Sequence, residues 1–393
     1  GLKIRTYNVL RQLHRHGHEI FLLCFNHRVF ISDEKTKEEY RRELAKLCAE
    51  AHVFEIPSEG SPFAHYACLG RNLLQRVPYR VARYDSRACA ERILAIAAAH
   101  RIDLVHLDKT ELHGYARLLP GVPAVPTNHN VESLLFARRA QHEVSWLRGL
   151  YSRVQAAKTR RYERETLNAV PGHIAATDVD AETFRRELDV TTPCAVIENG
   201  VDIERYRPLG GEPEPYVLII GAQSREATGN YDATMWFLDE MWPRARRLAP
   251  DLRLKIVGRN PDPSVQAWDG RDGVEVVGFA PDERPYLGKA RALLVPLRVG
   301  GGSRLKILTA FAMGTCVLAT TIGAEGIACT DGVDVKIEDE PEGFARALAR
   351  LWGDEAERRR LGEGGRRLAE RRYDSLLIGD KLDAFYRAVV AGR

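Results

Sequence analysis

Three consecutive glycines followed by two cations form the segment of this sequence best suited to bind a ligand. In PLRVGGGSRLKILTA, residues 296–310, the residues concerned are Gly300, Gly301, Gly302, Ser303, Arg304 and Lys306. Glycines leave backbone N–H groups open to a ligand, and a helix that starts directly after them adds the positive end of its dipole. These groups together predict a diphosphate site. Taken alone, the three glycines fit a flexible turn with two solvated cations equally well.

A histidine lies just past a predicted strand in the first half of the chain. His129 stands in PTNHN, directly after the apolar run 122–127. Binding and catalytic groups concentrate in such loops, although a single histidine can also be a structural hydrogen-bonding group. We take His129 as a candidate active-site residue, and Glu132 as a neighbour that could orient it.

The elements that must position these residues follow one pattern along the chain. Short β-branched apolar runs alternate with longer helical patterns, which predicts parallel sheets covered by helices. The predicted strands are 19–25, 52–56, 103–107, 122–127, 173–177, 195–197, 217–221, 254–258, 274–278, 292–296 and 316–319. Between the two series, ENGVDIERYRPLGGEPEP has linker composition. A chain of 393 residues is therefore expected to form an α/β protein of two doubly wound Rossmann-like domains with a hinge near 200–215.

The carboxyl ends of the later strands supply further candidate residues, because ligands of open parallel sheets bind at that edge. The residues at these ends are Gly221, Arg225, Gly258, Arg259 and Phe279. Arg225 is the basic residue of its loop, and its register within that loop stays open. The side chains at these strand ends do not by themselves identify a ligand.

Charge and cysteine content exclude some classes of function. The 58 basic and 54 acidic residues leave a net charge of +4, which is too small an excess for a dedicated nucleic-acid binder. Seven cysteines without metal or disulfide-framework spacing favour a reducing cytoplasm. The sequence contains neither an apolar run of about eighteen residues nor a secretion leader, so any membrane contact is expected to be peripheral.

One segment has the composition of a membrane-surface helix. Residues 138–164 combine a basic excess with Trp146, Leu147 and Leu150, as an amphipathic helix on an anionic membrane would. The alternative is a long solvated helix with one apolar face.

The first residues lack an expected strand. Gly1 runs directly into a helical apolar pattern, whereas a doubly wound domain should open with a strand. We expect the native chain to begin earlier, with Gly1 as the tail of a glycine-rich turn.

Taken with its surroundings, the glycine loop resembles the donor-site signature of glycosyltransferase family 4. That signature has a glycine loop, a helix, a small residue, a strand and a G-x-E-G turn, and here it reads GGGSRLKILTAFAMGTCVLATTIGAEGI. Supporting segments are PTNHNVESLLFARR, IENGVDIERYRPL, KIVGRNP and VEVVGFAPDERPYL. The resemblance covers nearly the whole chain, and the segments follow the family's order.

The resemblance implies the GT-B architecture, in which two Rossmann-like domains face each other across a cleft. It places an acceptor-side domain at 1–200, to which 374–393 return as a C-terminal helix, and a donor domain at 201–373. The implied activity is retaining transfer of a hexosyl group from a nucleotide-diphosphate sugar, as in polysaccharide biosynthesis. The acceptor would be a glycan or a lipid-linked intermediate, and the location would be cytoplasmic or at the inner membrane face.

The resemblance also assigns roles to particular residues. Main-chain groups of 300–303 would bind the donor, Arg304 and Lys306 would help the diphosphate to leave, and the ring of His129 would face the donor sugar. Glu325 belongs to the G-x-E-G turn, and Gly1 and Glu132 lie on the acceptor side. The family often has two glutamates spaced E-x7-E at this segment, and here these positions hold Gly301 and Thr309.

Asp178 and Asp180 match the D-x-D pattern through which the other large glycosyltransferase fold binds a metal. The pair follows a strand and opens a helical pattern, so carboxylates that cap a helix N-terminus explain it better. A diphosphate neutralised by arginine, lysine and helix-end amides needs no divalent ion. We therefore expect no metal and no further cofactor.

Two other functions stay open. Because Thr309 replaces an expected carboxylate, the protein could be a catalytically degenerate relative that binds a nucleotide sugar or partners an active transferase. A nucleotide-sugar epimerase on the same architecture is the third possibility, and the motif set favours the transferase over it.

Overall fold

The computed structural model describes residues 2–27, 34–142, 146–225, 228–299 and 304–392. The chain divides into two compact units. The N-terminal unit comprises Leu2–Glu198 and Gly379–Arg393, and the C-terminal unit comprises Asn199–Ile378.

The N-terminal unit contains two parallel sheets and eight helices among its described residues before Glu198. The strands are β1 (Phe21–Asn26), β2 (Glu50–Glu55), β3 (Val105–Leu107), β4 (Ala124–Asn128), β5 (His173–Ala175) and β6 (Cys194–Val196). The helices are α1 (Leu2–Arg15), α2 (Glu34–Ala45), α3 (Pro62–Leu74), α4 (Tyr79–Ala82), α5 (Arg87–Ala99), α6 (Glu132–His142), α7 (Trp146–Leu167) and α8 (Asp178–Glu187). One sheet is β1-β2, and the other has the order β3-β4-β5-β6.

The C-terminal unit is built on one six-stranded sheet. Its strands are β7 (Val217–Ile220), β8 (Leu254–Val257), β9 (Val274–Gly278), β10 (Ala292–Val295), β11 (Val317–Ala319) and β12 (Lys336–Ile337). Its helices are α9 (Thr228–Trp236), α10 (Trp242–Leu248), α11 (Pro263–Gln266), α12 (Arg284–Lys289), α13 (Leu305–Ala312), α14 (Thr321–Ala324), α15 (Pro341–Gly353) and α16 (Glu355–Leu368). A last helix, α17 (Ser375–Ala391), begins in this unit, and from Gly379 onwards it belongs to the N-terminal unit.

The strands of the C-terminal sheet are buried on both faces because alternate side chains pack into two separate cores. On β7, Leu218 and Ile220 enter the core that contains Phe311 of α13. Val217 and Ile219 enter the opposite core, which contains helices α10 and α15. Helices therefore cover both faces of the sheet, as the continuous apolar runs of these strands require.

All eleven predicted strands are present, with ends shifted by at most three residues, and the structure adds the short strand β12. The predicted fold class, α/β with two Rossmann-like domains, is confirmed. Within the described ranges, no helix combines the length and the apolar character that a membrane crossing needs.

Candidate functional site

The order of the C-terminal sheet fixes where a ligand should bind. The six parallel strands run β12-β11-β10-β7-β8-β9, so the chain moves outward from β7 in one direction and then restarts at β10 in the other. In such a sheet the crevice at the carboxyl ends of the two central strands, here β7 and β10, is the ligand site. Gly221 follows β7 at this edge. The loop after β10 leads to the predicted glycines.

Gly300, Gly301, Gly302 and Ser303 of the glycine loop lie outside the described residues, as does Gly1. The residues that flank this loop carry the site described below.

Gly221 and Gly258 are needed for packing at the ends of β7 and β8. A Cβ on Gly258 would lie 1.7 Å from the carbonyl oxygen of Gly221, and a Cβ on Gly221 would lie 2.7 Å from Asn230 Nδ2. Gly221 also has φ +148°, which L side chains rarely adopt. The two glycines therefore let the strand ends and the Asn230 side chain approach closely.

Lys306 and Asn230 connect the two helices that follow the central strands β7 and β10. Asn230 lies on α9, which follows β7, and Lys306 lies on α13, which follows β10. Lys306 Nζ donates a hydrogen bond of 2.7 Å to Asn230 Oδ1. Burial, and secondarily the Arg304 guanidinium, lower the pKa of Lys306 to about 8. No described carboxylate lies within ion-pair distance of Lys306, so this ammonium is a cation that an incoming anion could pair with.

Arg304 is a buried cation directly before α13. Its Nη2 donates to the carbonyl oxygen of Ile322 at 2.8 Å and lies 3.8 Å from Glu325 Oε2. Burial lowers the pKa of Arg304, whereas Glu325 raises it. The structure thus brings Arg304, Lys306 and Glu325 close to one edge of the sheet.

Three of the other predicted donor residues lie on the surface of this unit. Arg225 is exposed, and its Nε is 2.8 Å from Asp262 Oδ2. The guanidinium of Arg259 lies over the exposed ring of Phe279, 4.8 Å from its centroid. Arg259 therefore stacks on Phe279, and Arg225 pairs with Asp262. These contacts order the loops after β7, β8 and β9.

In the N-terminal unit, His129 directly follows β4 and contacts the residue that directly follows β3. Its Nε2 donates to the carbonyl oxygen of Asp108 at 2.8 Å and lies 3.3 Å from Asp108 Oδ1. Thr6 Oγ1 donates to Asp108 Oδ2 at 2.5 Å. His106 Nε2 lies 3.6 Å from Asp108 Oδ1, while its Nδ1 is hydrogen-bonded to the Tyr386 hydroxyl. His129 is partly buried and held by this network.

The charge of Asp108 is maintained by its neighbours. Burial by itself would raise the pKa of Asp108, but hydrogen bonds from His106 and His129 hold it well below its usual range. Asp108 is therefore an ionised carboxylate that fixes which nitrogen of His129 carries the proton.

Glu132 is the first residue of α6 and is held by an arginine. Arg80 Nη1 lies 2.5 Å from Glu132 Oε2, and Arg80 Nη2 lies 2.6 Å from Glu111 Oε1. Burial raises the pKa of Glu132, while Arg80 acts in the opposite direction. The described partner that orients His129 is Asp108, and Glu132 instead forms an ion pair with Arg80.

A buried glutamate of α7 holds the start of α6. Glu163 accepts hydrogen bonds from the backbone N–H of Glu132 at 2.9 Å and of Ser133 at 3.4 Å. These are orphan donors of a helix N-terminus. Burial raises the pKa of Glu163 to about 8.

Two family models match the chain. The model described as Glycosyltransferase Family 4 covers residues 1–205, and the model described as Glycosyl transferases group 1 covers residues 214–354. The chain belongs to glycosyltransferase family 4. The resemblance inferred from the motifs is thereby confirmed. Among curated proteins, none matches the chain in sequence.

Solved structures of glycosyltransferases share the fold of this family 4 protein. A glycosyltransferase from Rickettsia africae ESF-5 has a TM-score of 0.67 at 14% identity. The matched region covers 99% of the present chain and 94% of the Rickettsia protein. Anabaena HepE in complex with UDP has a TM-score of 0.64 at 13% identity, covering 94% and 100%. A sucrose-phosphate synthase from Thermosynechococcus elongatus has a TM-score of 0.61 at 20% identity, covering 77% and 78%.

Thr309 shows how this family 4 chain differs where a glutamate is common. Thr309 is buried on α13, and its Oγ1 donates to the carbonyl oxygen of Lys306 at 3.0 Å. The hydroxyl hydrogen is thus used within the helix. The position supplies no negative charge.

The D-x-D pattern of this family 4 chain belongs to a helix start. The cap of α8 is Thr177, whose side chain accepts from the N–H of Asp180, so the expectation that the aspartates themselves form the cap was wrong. Asp178 and Asp180 occupy the first turn, where carboxylates interact favourably with the helix dipole. In the part of the chain that the structure describes, no group of His, Cys, Asp or Glu could hold a metal ion.

Sequence reasoning missed two residues that hold the candidate side chains. Asp108 directly follows β3, so the rule of carboxyl strand ends would have found it next to His129. Asn230 lies within the loop and helix after β7, in a segment whose register the sequence did not fix. Both are polar residues whose partner comes from a neighbouring strand connection.

Proposed function

We propose that this protein is a retaining, metal-independent hexosyltransferase that uses a nucleotide-diphosphate sugar and a glycan or lipid-linked acceptor. The observation that carries the proposal is the position of the Lys306 ammonium near the carboxyl ends of the central strands β7 and β10. It is hydrogen-bonded only to a neutral amide among the described residues, and Arg304 lies nearby. Two cations beside a glycine loop and the start of α13 suit a diphosphate.

The same groups would assist the chemical step. Departure of the nucleoside diphosphate from the anomeric carbon develops negative charge on the leaving phosphate. Lys306 and Arg304, placed where water is largely excluded, would stabilise that charge more in the transition state than in the ground state. In this assignment the two side chains take the role that a divalent ion has in other transferases.

Residues of the N-terminal unit are assigned to the sugar and to the acceptor. We assign to His129 a contact with the donor sugar, with Asp108 as the residue that positions its ring. Glu132 lies three residues after His129, and with its ion-pair partner Arg80 of α4 it is assigned to the acceptor side.

Relatives support the donor class. HepE, which shares the fold, was solved with UDP, and a diphosphate is the group that the cations described above would recognise. All seven cysteines are free thiols, which supports our placement of the protein in a reducing cytoplasm.

A second candidate function comes from Thr309. Because its hydroxyl is bonded within α13 and it carries no charge, a ribose contact that a glutamate would make is missing. A protein that binds a nucleotide sugar without transferring it would have this feature. Slow hydrolysis of nucleotide sugars by the purified protein distinguishes the enzyme from such a binder.

The test measures nucleotide-diphosphate binding by calorimetry with UDP, GDP and ADP, in the presence of EDTA. For the nucleotide that binds, Lys306→Ala should weaken affinity by about 2 kcal/mol, the scale of a charge-assisted contact. The matched control is Lys289→Ala, since Lys289 is an exposed lysine of the same unit that is paired with Glu214 at 2.8 Å. It should change affinity by less than about twofold.

Three results would contradict the proposal. The first is that no nucleoside diphosphate binds. The second is that Lys306→Ala binds as tightly as the unmodified protein. The third is that EDTA abolishes hydrolysis or transfer and manganese or magnesium restores it, which would remove the metal-independent mechanism while leaving the donor class intact.

A further inference from the structure

In the first half of α7, small and polar residues are buried and apolar side chains are exposed, which is the reverse of a usual surface helix. Its buried positions hold small and polar residues, namely Gly149, Ser152, Gln155 and Thr159. Their polar groups are satisfied inside the protein: Gln155 Nε2 donates to Asn72 Oδ1 at 3.2 Å, and Thr159 Oγ1 donates to the Gln155 carbonyl oxygen at 2.7 Å. Buried polar groups of this kind fix the orientation of the helix.

The apolar side chains of the same segment point to solvent. Trp146, Leu147, Leu150 and Val154, here named the α7 stripe, have between 42% and 74% of their surface exposed. With 3.6 residues per turn, these four positions share the side of the helix opposite the buried one. A surface helix normally buries its apolar side chains, so the exposed α7 stripe indicates a surface that interacts with a partner.

The charged side chains of α7 up to Tyr162 are all positive, because the sequence from residue 146 to residue 162 contains no aspartate or glutamate. Arg153 lies next to Trp146 around the helix, is exposed, and forms no ion pair with another described side chain. Apolar side chains flanked by such an arginine are complementary to an anionic bilayer, which offers both hydrocarbon and negative headgroups.

The same charges disfavour a second copy of this chain as the partner. In a two-fold symmetric dimer through the α7 stripe, the same patch faces itself. Arg153 of one copy would then lie near Arg153 of the other. Like charges brought together in this way cost free energy.

A neighbouring helix repeats the inversion. On α3, Phe63, Tyr66 and Leu74 have between 69% and 93% of their surface exposed, whereas the polar Asn72 is buried. The Asn72 carbonyl oxygen accepts a hydrogen bond of 2.7 Å from Lys158 Nζ of α7. Two hydrogen-bonded helices of the N-terminal unit therefore both expose apolar stripes.

We propose that the α7 stripe is a membrane-docking surface that binds the interface of an anionic lipid bilayer. The apolar side chains insert at the level of the headgroups, where tryptophan is favoured, and Arg153 contacts lipid phosphates. The inference does not depend on the donor or on the transfer reaction. It places the N-terminal unit beside lipid.

The experiment measures sedimentation of the full chain with vesicles of phosphatidylcholine mixed with phosphatidylglycerol, and with vesicles of phosphatidylcholine alone. We expect binding to the mixed vesicles that weakens as salt is added. The double variant L147S/L150S should lower the partition coefficient at least about tenfold. The variant R153E should lose binding to mixed vesicles preferentially.

The control is Val179→Ser. Val179 is 63% exposed in the same unit, but it lies between Asp178 and Asp180 and should not contact an anionic surface, so its loss should leave vesicle binding unchanged. Because all the changed side chains are exposed, thermal unfolding of each variant should match that of the unmodified protein, which separates lost docking from lost folding.

The proposal is overturned if the unmodified protein does not bind mixed vesicles, or if L147S/L150S binds them as well as Val179→Ser does. Light scattering supplies the remaining outcome. A dimer that L147S/L150S dissociates, without any vesicle binding, would assign the α7 stripe to a second copy and refute the membrane role.

Discussion

The two units treat charge differently at the strand ends that carry their candidate residues. In the C-terminal unit, Lys306 is a cation without a carboxylate partner among the described side chains, and the Arg304 guanidinium lies 3.8 Å from Glu325 Oε2. In the N-terminal unit, His129 is held by Asp108, and Arg80 lies between two glutamates. One edge is left positive, and the other is neutralised from within.

This difference indicates what each edge receives. A cation whose pKa is lowered to about 8 by burial gains most from a ligand that brings its own negative charge, as a diphosphate does. A histidine whose Nε2 hydrogen is already donated within the protein is suited to accept from a neutral hydroxyl, such as that of a sugar, through its other ring nitrogen. The following predictions test this division, from the largest expected effect to the smallest.

The largest effect is expected from His129→Ala. If His129 contacts the reacting sugar, turnover should fall on the order of 10²- to 10⁴-fold. Binding of the free nucleoside diphosphate should change by less than about twofold, because the cations that we propose to bind it belong to the other unit. Steady-state kinetics and calorimetry measure the two quantities. Equal losses in turnover and in nucleotide binding would contradict the assignment of these two roles to separate units.

A large effect on stability is expected from Glu163→Gln. The pKa of Glu163 is raised to about 8 by burial, well above its value in an unfolded chain. The folded state therefore holds a proton that the unfolded state has released, and stability falls as the pH rises from about 4.5 to about 8. Removing the ionisable group should stabilise the N-terminal unit by on the order of 3 kcal/mol near pH 8, and by little near pH 5.

Thermal unfolding of the two proteins across this pH range is the measurement. If the melting temperatures of the two proteins differ by the same amount at every pH, Glu163 is ionised in the folded protein. The C-terminal unit serves as the internal control, since its unfolding should not respond to the change.

A smaller effect on turnover is expected from Asp108→Asn. The change keeps the shape and the backbone hydrogen bond to His129 but removes the carboxylate charge. Loss of one charge-assisted contact of about 1.5 kcal/mol corresponds to roughly tenfold in rate. Nucleotide binding should be unaffected. The NMR signals of the His129 ring should shift, which a change far from that ring would not cause.

The smallest effect is a pH dependence of donor binding. Because the pKa of Lys306 is about 8 in the free protein and an anion stabilises the charged form, binding takes up a proton as the pH rises past that value. Affinity for the nucleoside diphosphate should therefore decline several-fold between about pH 7.5 and pH 9. Lys306→Arg, which stays charged, should show a flat profile. A flat profile in the unmodified protein would mean that Lys306 does not pair with the phosphates.

Much of this molecule follows from local sequence. The strands could be predicted within three residues because each is a short apolar run between turn residues, and the family could be identified because the glycine loop and its flanking segments keep their order. Thr177 before Asp178 likewise marks a helix start by itself. These features depend on neighbours a few residues apart, so the chain determines them before it folds.

Tertiary structure decided which side chains meet. Asn230 and Lys306 are 76 residues apart, and they touch only because the sheet places β10 beside β7. His129 meets Asp108 because β3 and β4 pair. The direction of α7 was also open: its composition suggested an apolar face, but hydrogen bonds of Gln155 to distant residues turned that face outward. Contacts between segments far apart in sequence depend on sheet order and packing, which local patterns do not encode.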